Sequence, residues 1–157
     1  RSAISLISNE YDYIFIDCPP SLGLLTVNSL AAATEVIVPL QCEYYALEGL
    51  SQLLNNVELI QENLNSDLYV SSIVLVMFDA RTRLAQEVAD EVREHFGNLV
   101  LETVVPRSVR LSEAPSYGKP VELYDPTSSG ALAYREVAKE VAGRSQRGLQ
   151  DTSERSP

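Results

Sequence analysis

The sequence contains no tryptophan, one methionine, one histidine (His95) and two cysteines, Cys18 and Cys42. Two cysteines in a chain of this size do not form a disulfide framework, and with one histidine they cannot complete a Cys/His zinc set. A Cys/His nucleophile pair would need His95 beside a cysteine, yet His95 stands directly before Phe96-Gly97 and reads as a helix C-terminal residue. The G-x-S-x-G elbow of a serine hydrolase is also missing. No apolar run approaches the ~20 residues of a membrane span. The opening RSAISLISNEYDYI lacks a signal peptide's basic start, apolar block and small-residue cleavage site, so a cytoplasmic protein is expected. Positive charge is absent from half the chain: between Ser2 and Ala80 there is neither lysine nor arginine.

The 157 residues, 45% of them hydrophobic, are enough for one globular domain that needs no metal or disulfide staple. Twelve basic against 22 acidic residues leave a formal charge of −10, which argues against wholesale nucleic-acid binding. Every basic residue except Arg1 lies from Arg81 onward, so a locally basic edge on an acidic body is possible, and local potential decides whether phosphate is attracted.

Short apolar runs alternate with helical stripes. Tyr13 to Ile16 reads as a buried strand stopped by Asp17 and a Pro-Pro pair, and Leu24 to Ala33 as a short helix. Glu35 to Leu40 reads as a second strand. Ala46 to Leu64 carries Leu47, Leu50, Leu54, Val57 and Leu64, with Leu53 and Ile60 beside them, at amphipathic-helix spacing. Val70 to Phe78 is a third strand, followed by a helix with Leu84, Val88, Val92 and Phe96, ended by Gly97. Leu99 to Val105 is a fourth strand, Pro106 to Gly130 an irregular stretch, and Tyr134, Val137, Ala138 and Val141 mark a last helix. The expected domain is 1–142, with 143–157 a disordered polar tail.

Strands apolar on both faces alternating with helices give an α/β, doubly wound, mostly parallel sheet. Ligands bind such sheets at the carboxyl ends of the strands. The residues following the strands are Asp17, Gln41 to Tyr45, Asp79 to Arg83, and Arg107 to Arg110. An Asp ending an apolar strand can reach a nucleotide-bound Mg²⁺, although Asp also caps turns. In DCPPSLG two prolines fix the backbone after Asp17, and Ser21 with Gly23 suits a turn beneath a phosphate.

The segment IDCPPSLGLLTVNSL resembles the Walker B and switch II region of ParA/Soj-type chromosome-partitioning ATPases, in the MinD/ParA superfamily of deviant Walker A proteins. QCEYYALEGLSQLL, FDARTRLAQEV, VPRSVRLSEAPSYGKP and YDPTSSGALAY resemble further segments in the family's order, over roughly Glu10 to Ala142. The resemblance implies a P-loop NTPase sheet, ATP and Mg²⁺ as cofactors, and an ATP-closed homodimer that binds DNA without sequence preference. It also implies a ParB-type activator, chromosome or plasmid segregation, and a bacterial, nucleoid-associated location. Asp17 would be the catalytic and magnesium-organising carboxylate, Pro106 and Arg107 would lie near the adenine, and Arg81, Arg110 and Arg83 would contact DNA. Tyr44 and Tyr45, with Glu43 and Glu48, match a stretch near the subunit interface, while their plainer reading is aromatic filling under a helix start.

The family's KGGxGKT loop has no counterpart here: only sixteen residues precede Asp17, none is lysine, and Gly118-Lys119 runs into Pro120. The chain therefore reads as a C-terminal part of such an ATPase, without the P-loop strand and inactive in ATP hydrolysis alone. The backbone of YIFID is expected to be left unpaired unless something, such as another copy, fills the slot. A non-catalytic DNA-binding or protein-interaction module is the alternative. A MinD-like ATPase is a further one, but the tail GRSQRGLQDTSERSP has no apolar face for a membrane.

Overall fold

A computed structural model describes residues 1–154 except Pro20 and Leu22, with side chains described as far as Arg144. The elements in order are α1 (Ser2–Ser5), α2 (Leu24–Ala32), β1 (Glu35–Gln41), α3 (Ala46–Asn63), β2 (Tyr69–Val76) and α4 (Arg83–Phe96). Short helices α5 (Val109–Glu113) and α6 (Val121–Tyr124) and the long α7 (Ser129–Glu154) follow. Residues Pro106 to Gly130, expected to be irregular, thus hold two short α-helices and a 3₁₀ turn at Ala114–Tyr117. The chain forms two compact units, Arg1–Val36 with Ser51–Val70, and Ile37–Leu50 with Ser71–Pro157.

The fold is α/β with a parallel sheet, as expected, in a small form: β1 pairs with β2. Helices join successive strand segments, α3 from β1 to β2 and α4 onward from β2, as parallel pairing requires. Next to β2 the ladder continues through parallel bridges Ile73–Val100 and Phe78–Pro106. Leu101 N–H donates to Ile73 O at 2.9 Å, Val105 N–H to Leu75 O at 2.8 Å and Arg107 N–H to Phe78 O at 3.0 Å.

The expected fourth strand, Leu99 to Val105, is therefore paired at its two ends and not along its middle. In the middle, the Glu140 carboxylate of α7 accepts the N–H groups of Glu102 and Thr103, each at 2.9 Å, in place of a strand partner. Burial pushes the Glu140 carboxyl up, but these bonds outweigh it and hold it below the usual range.

The Tyr13–Ile16 strand does not form. Residues 13–19 carry no regular structure and are exposed, Phe15 at 76%, and the rings of Tyr13 and Phe15 stack on each other at 6.3 Å. A strand is stable only with a neighbour to take its backbone groups, and among the described residues none pairs with this one.

In the first unit Leu30, Val57, Ile60 and Leu68 make the core. Buried Asn65 closes α2 by donating to Leu30 O at 2.9 Å and Ala33 O at 2.7 Å, taking carbonyls the helix end leaves open. Burial and a bond to Glu35 push the Tyr69 phenol up to about 12. In the second unit Val74, Leu101, Val105 and Val137 form one cluster and Ala114, Val121 and Ala131 another.

The helix stripes are shifted from the sequence reading by about one residue in places. In α4 the buried face is Ala85, Val88, Ala89 and Val92, with Leu84 exposed at 46%. In α7 it includes Ala131 and Val137, while Tyr134 and Ala138 face outward. Gly130 lets α7 approach α5 closely, since a Cβ there would fall 2.6 Å from Leu111 Cγ. The polar tail expected to be disordered from Gly143 continues α7 in its backbone to Glu154, and its side chains from Ser145 lie outside the described residues.

Candidate functional site

The carboxyl end of β2 organises the candidate site of the second unit. Pairing of Phe78 with Pro106 sets the loop after β2 beside the loop that begins at Arg107. The missing N–H of Pro106 costs the ladder nothing, because in this parallel bridge Phe78 N–H donates to Val105 O at 3.1 Å and Arg107 N–H donates to Phe78 O. Met77, just before this junction, sits at φ 51°, in the left-handed region that an unbranched residue enters only under local constraint. Its sulfur accepts from Gln41 Nε2 at 3.0 Å, which ties the end of β1 to the end of β2.

Asp79 is the hub of the loop. Its carboxylate accepts from Arg81 Nε at 2.9 Å, from Arg81 Nη2 at 2.7 Å and from the Arg81 backbone N–H at 3.1 Å. These bonds, with the charges of Arg81 and Arg107 nearby, hold the Asp79 carboxyl far below the usual carboxylate range. Thr82 then starts α4, its hydroxyl donating to Asp79 O at 3.0 Å and accepting from Ala85 N–H at 3.4 Å.

An open groove of about 920 Å³ runs past this loop, lined among others by Leu40, Tyr44, Met77, Asp79, Thr82 and Arg107. Tyr44 and Tyr45 are 77% and 73% exposed and meet edge to face at 5.0 Å, so they do not fill space under a helix start. Cys42 is buried, and burial pushes its thiol up, against a smaller opposing effect of Arg93, which leaves it a poor nucleophile. His95 Nδ1 donates to Glu91 O at 2.9 Å near the end of α4, as its position before Phe96-Gly97 suggests.

The three candidate DNA-contacting arginines differ in how they are held. Arg81 is 87% exposed and paired with Asp79 alone. Arg83 is 90% exposed and paired with Glu87 at 2.7 Å, one turn along α4. Arg110 is 53% exposed and caged: its guanidinium meets Glu113 at 2.8 Å and Asp125 at 3.4 Å, and Tyr124 Oη donates to the same Glu113 oxygen at 3.1 Å. Arg110 thus braces α5 against α6 and the following turn. The residue types were readable from the sequence, but their carboxylate partners were not singled out there. For Asp79 the D-x-R spacing was the available signal, whereas Asp125 lies fifteen residues from Arg110 and gave none.

Asp17, the candidate magnesium carboxylate, belongs to the first unit and is exposed. Among the described residues no three His, Cys, Asp or Glu side chains gather to hold a metal ion. Mg²⁺ bound with a nucleotide takes most of its ligands from phosphates and water and needs only one or two protein oxygens. A single accessible carboxylate at Asp17 fits that requirement. Pro106 and Arg107 belong to the second unit with Arg81, Arg83 and Arg110.

Among the described residues no helix is long and apolar enough to cross a membrane. An AAA-domain family profile matches residues 1–70. The chain is 58% identical over 142 residues to the sporulation initiation inhibitor protein Soj of Bacillus subtilis, covering 90% of this chain and 56% of that protein. It is 55% identical over 144 residues to the chromosome partitioning protein ParA of Myxococcus xanthus, covering 92% of this chain and 51% of that protein. Among solved structures, cobyrinic acid a,c-diamide synthase from Mycobacterium smegmatis, bound to an ATP analogue and magnesium, matches with a TM-score of 0.75 and 34% identity over 94% of this chain and 53% of its own. The chain spans about half the length of the curated relatives it matches. On this likeness, carried through nine-tenths of its residues, the chain belongs to the ParA/Soj family of chromosome-partitioning ATPases.

Proposed function

We propose that this chain carries the switch carboxylate and the DNA-contacting edge of a partitioning ATPase. Arg81 and Arg83 meet duplex phosphates without reading sequence, and Arg110 adds charge from the neighbouring loop. Arg107 and Pro106 flank the adenine, and Asp17 organises Mg²⁺ on the nucleotide. In the intact protein ATP favours a homodimer, the dimer favours DNA, and by linkage each favours the other until a ParB-type partner stimulates hydrolysis. The protein works on chromosome or plasmid DNA at the nucleoid.

One observation carries this reading: the Phe78–Pro106 pairing gathers the basic residues of two loops at the carboxyl end of β2, where parallel sheets bind ligands. The relatives, among them a chromosome partitioning protein, supply the biological setting. What these 157 residues do not contain is a P-loop lysine with its backbone cradle, so the chain by itself is proposed not to hydrolyse ATP.

Fluorescence anisotropy on two labelled duplexes of unrelated sequence tests the proposal, with the wild-type chain and the Arg81→Glu/Arg110→Glu variant, each with and without a Mg²⁺-loaded ATP analogue. Equal affinity for both duplexes and a loss of tenfold or more in the variant are expected. Binding that the variant retains in full would remove these loops from the interface. Binding by the chain that ignores nucleotide would favour a non-catalytic DNA-binding module, whereas binding that appears only with the nucleotide would count against that module.

A further inference from the structure

All three candidate arginines are neutralised in this structure by carboxylates of their own chain, but not in the same way. Arg110 is built into the packing of α5 and α6 by two carboxylates, one of which also receives the Tyr124 hydroxyl. Arg83 is held along a helix surface, in an i,i+4 pair that breaks and reforms with little consequence. Arg81 is different. Asp79 grips its guanidinium with both carboxylate oxygens, from Nε and Nη2, and takes the Arg81 backbone N–H as well.

That two-pronged geometry is the one a phosphate offers an arginine. Asp79 therefore occupies the face of Arg81 that a nucleic-acid phosphate would use. The loop is fixed around the pair on both sides: Thr82 hydrogen-bonds to Asp79 O and caps α4, and Phe78 is locked to the neighbouring segment through Val105 and Arg107. With Arg81 87% exposed and the Asp79 side chain 23% exposed, the guanidinium can leave the carboxylate while the carboxylate stays in place.

We infer that Asp79 is an internal phosphate mimic that gates Arg81, so that DNA binds only by displacing the carboxylate from the guanidinium. The inference rests on the proposed DNA-contacting role of Arg81 and adds the residue that regulates it. Asp79 makes no contact with DNA; it is a positioning residue that lowers affinity for a polyanion and makes Arg81 engagement reversible. After displacement its charge lies near Arg107, the other cation whose field reaches it. Engagement of DNA at Arg81 thereby leaves the Asp79 carboxylate, still in place, with Arg107 as its neighbouring cation.

Anisotropy titrations of the 157-residue chain with a labelled duplex of about 30 base pairs test the gate. The variants are Asp79→Asn, Arg81→Ala, the Asp79→Asn/Arg81→Ala double variant and Glu62→Gln, which removes one exposed charge on α3 and serves as the control for net charge. The size expected from freeing an exposed ion pair is about a threefold tightening in Asp79→Asn, beyond any change in Glu62→Gln. This gain disappears in the Arg81→Ala background and shrinks as salt rises, because screening already loosens the pair in the wild type. An equal gain in Asp79→Asn and Glu62→Gln, or a gain that survives without Arg81, overturns the gate while leaving the DNA reading intact. No difference between wild type and Arg81→Ala, or no binding by any variant, overturns both. Circular dichroism melts of each variant must superimpose on the wild type, and the Asp79→Ser variant serves as a second test if Asp79→Asn melts early.

Discussion

At the residue scale the most exacting positions are those where one side chain completes a backbone that would otherwise be left open. Asn65 is buried and its amide closes two carbonyls at the end of α2. Asn65→Ala is expected to cost about 2 kcal/mol in urea unfolding, since both carbonyls lose a donor away from water. Gly130 is chosen by space, not by backbone angle. Gly130→Ala forces Leu111 to move from a contact that would otherwise be 2.6 Å, and about 1 to 3 kcal/mol of destabilisation is expected in the same assay. An unchanged midpoint would mean that Leu111 has an alternative rotamer at no cost. Of the candidate site residues, the arginines were legible because no lysine or arginine occurs between Ser2 and Ala80, which makes those after β2 conspicuous. Their carboxylate partners were less so, because a pairing across a fold leaves no local pattern.

At the element scale the sequence reading succeeds where a run supplies its own neighbours. Helices α3 and α4 and strands β1 and β2 lie within one or two residues of the periodic patterns that predicted them. It fails where the partner is remote or missing. Leu99 to Val105 has the composition of a strand, but Glu140, some 38 residues away, takes two of its N–H groups. Tyr13 to Ile16 has the composition of a buried strand and lies exposed, because burial is a property of what packs beside it. The Glu140 clamp is testable by pH. Its folded-state pKa is depressed, so its contribution is present above the unfolded value near 4.5 and is lost as pH falls through the lower folded value. Thermal melts between pH 7 and pH 3 should show the wild type losing part of its margin over Glu140→Gln as the acid limit is approached. Parallel curves for the two proteins would show that the carboxylate is not a clamp. Asp79 adds a loss of the same sign at lower pH, since Arg81 depresses it further.

At the scale of the whole molecule, an acidic chain with a formal charge of −10 carries Arg81, Arg83, Arg107 and Arg110 in and beside the loops after one parallel junction. Long-range repulsion and local attraction then oppose each other, which suits weak, reversible association with DNA more than tight binding. The nucleotide side follows from the same sequence. Without a P-loop lysine among its residues, the chain should show no saturable, Asp17-dependent binding of a fluorescent ATP analogue with Mg²⁺, compared with Asp17→Ala. Saturable binding lost in Asp17→Ala would mean that the phosphate site is built from other groups.

The central claim is that Arg81 and its neighbours bind duplex phosphates, and the salt dependence of DNA affinity tests it most directly. In the ATP-closed dimer of the intact protein, two arginines per subunit neutralise about four phosphates, for a log-log slope of roughly −3.6 with salt. Replacing Arg81 by alanine removes about two of these contacts and should halve the slope, to roughly −1.8. A slope near zero for the wild type, or the same slope with and without Arg81, would contradict the account.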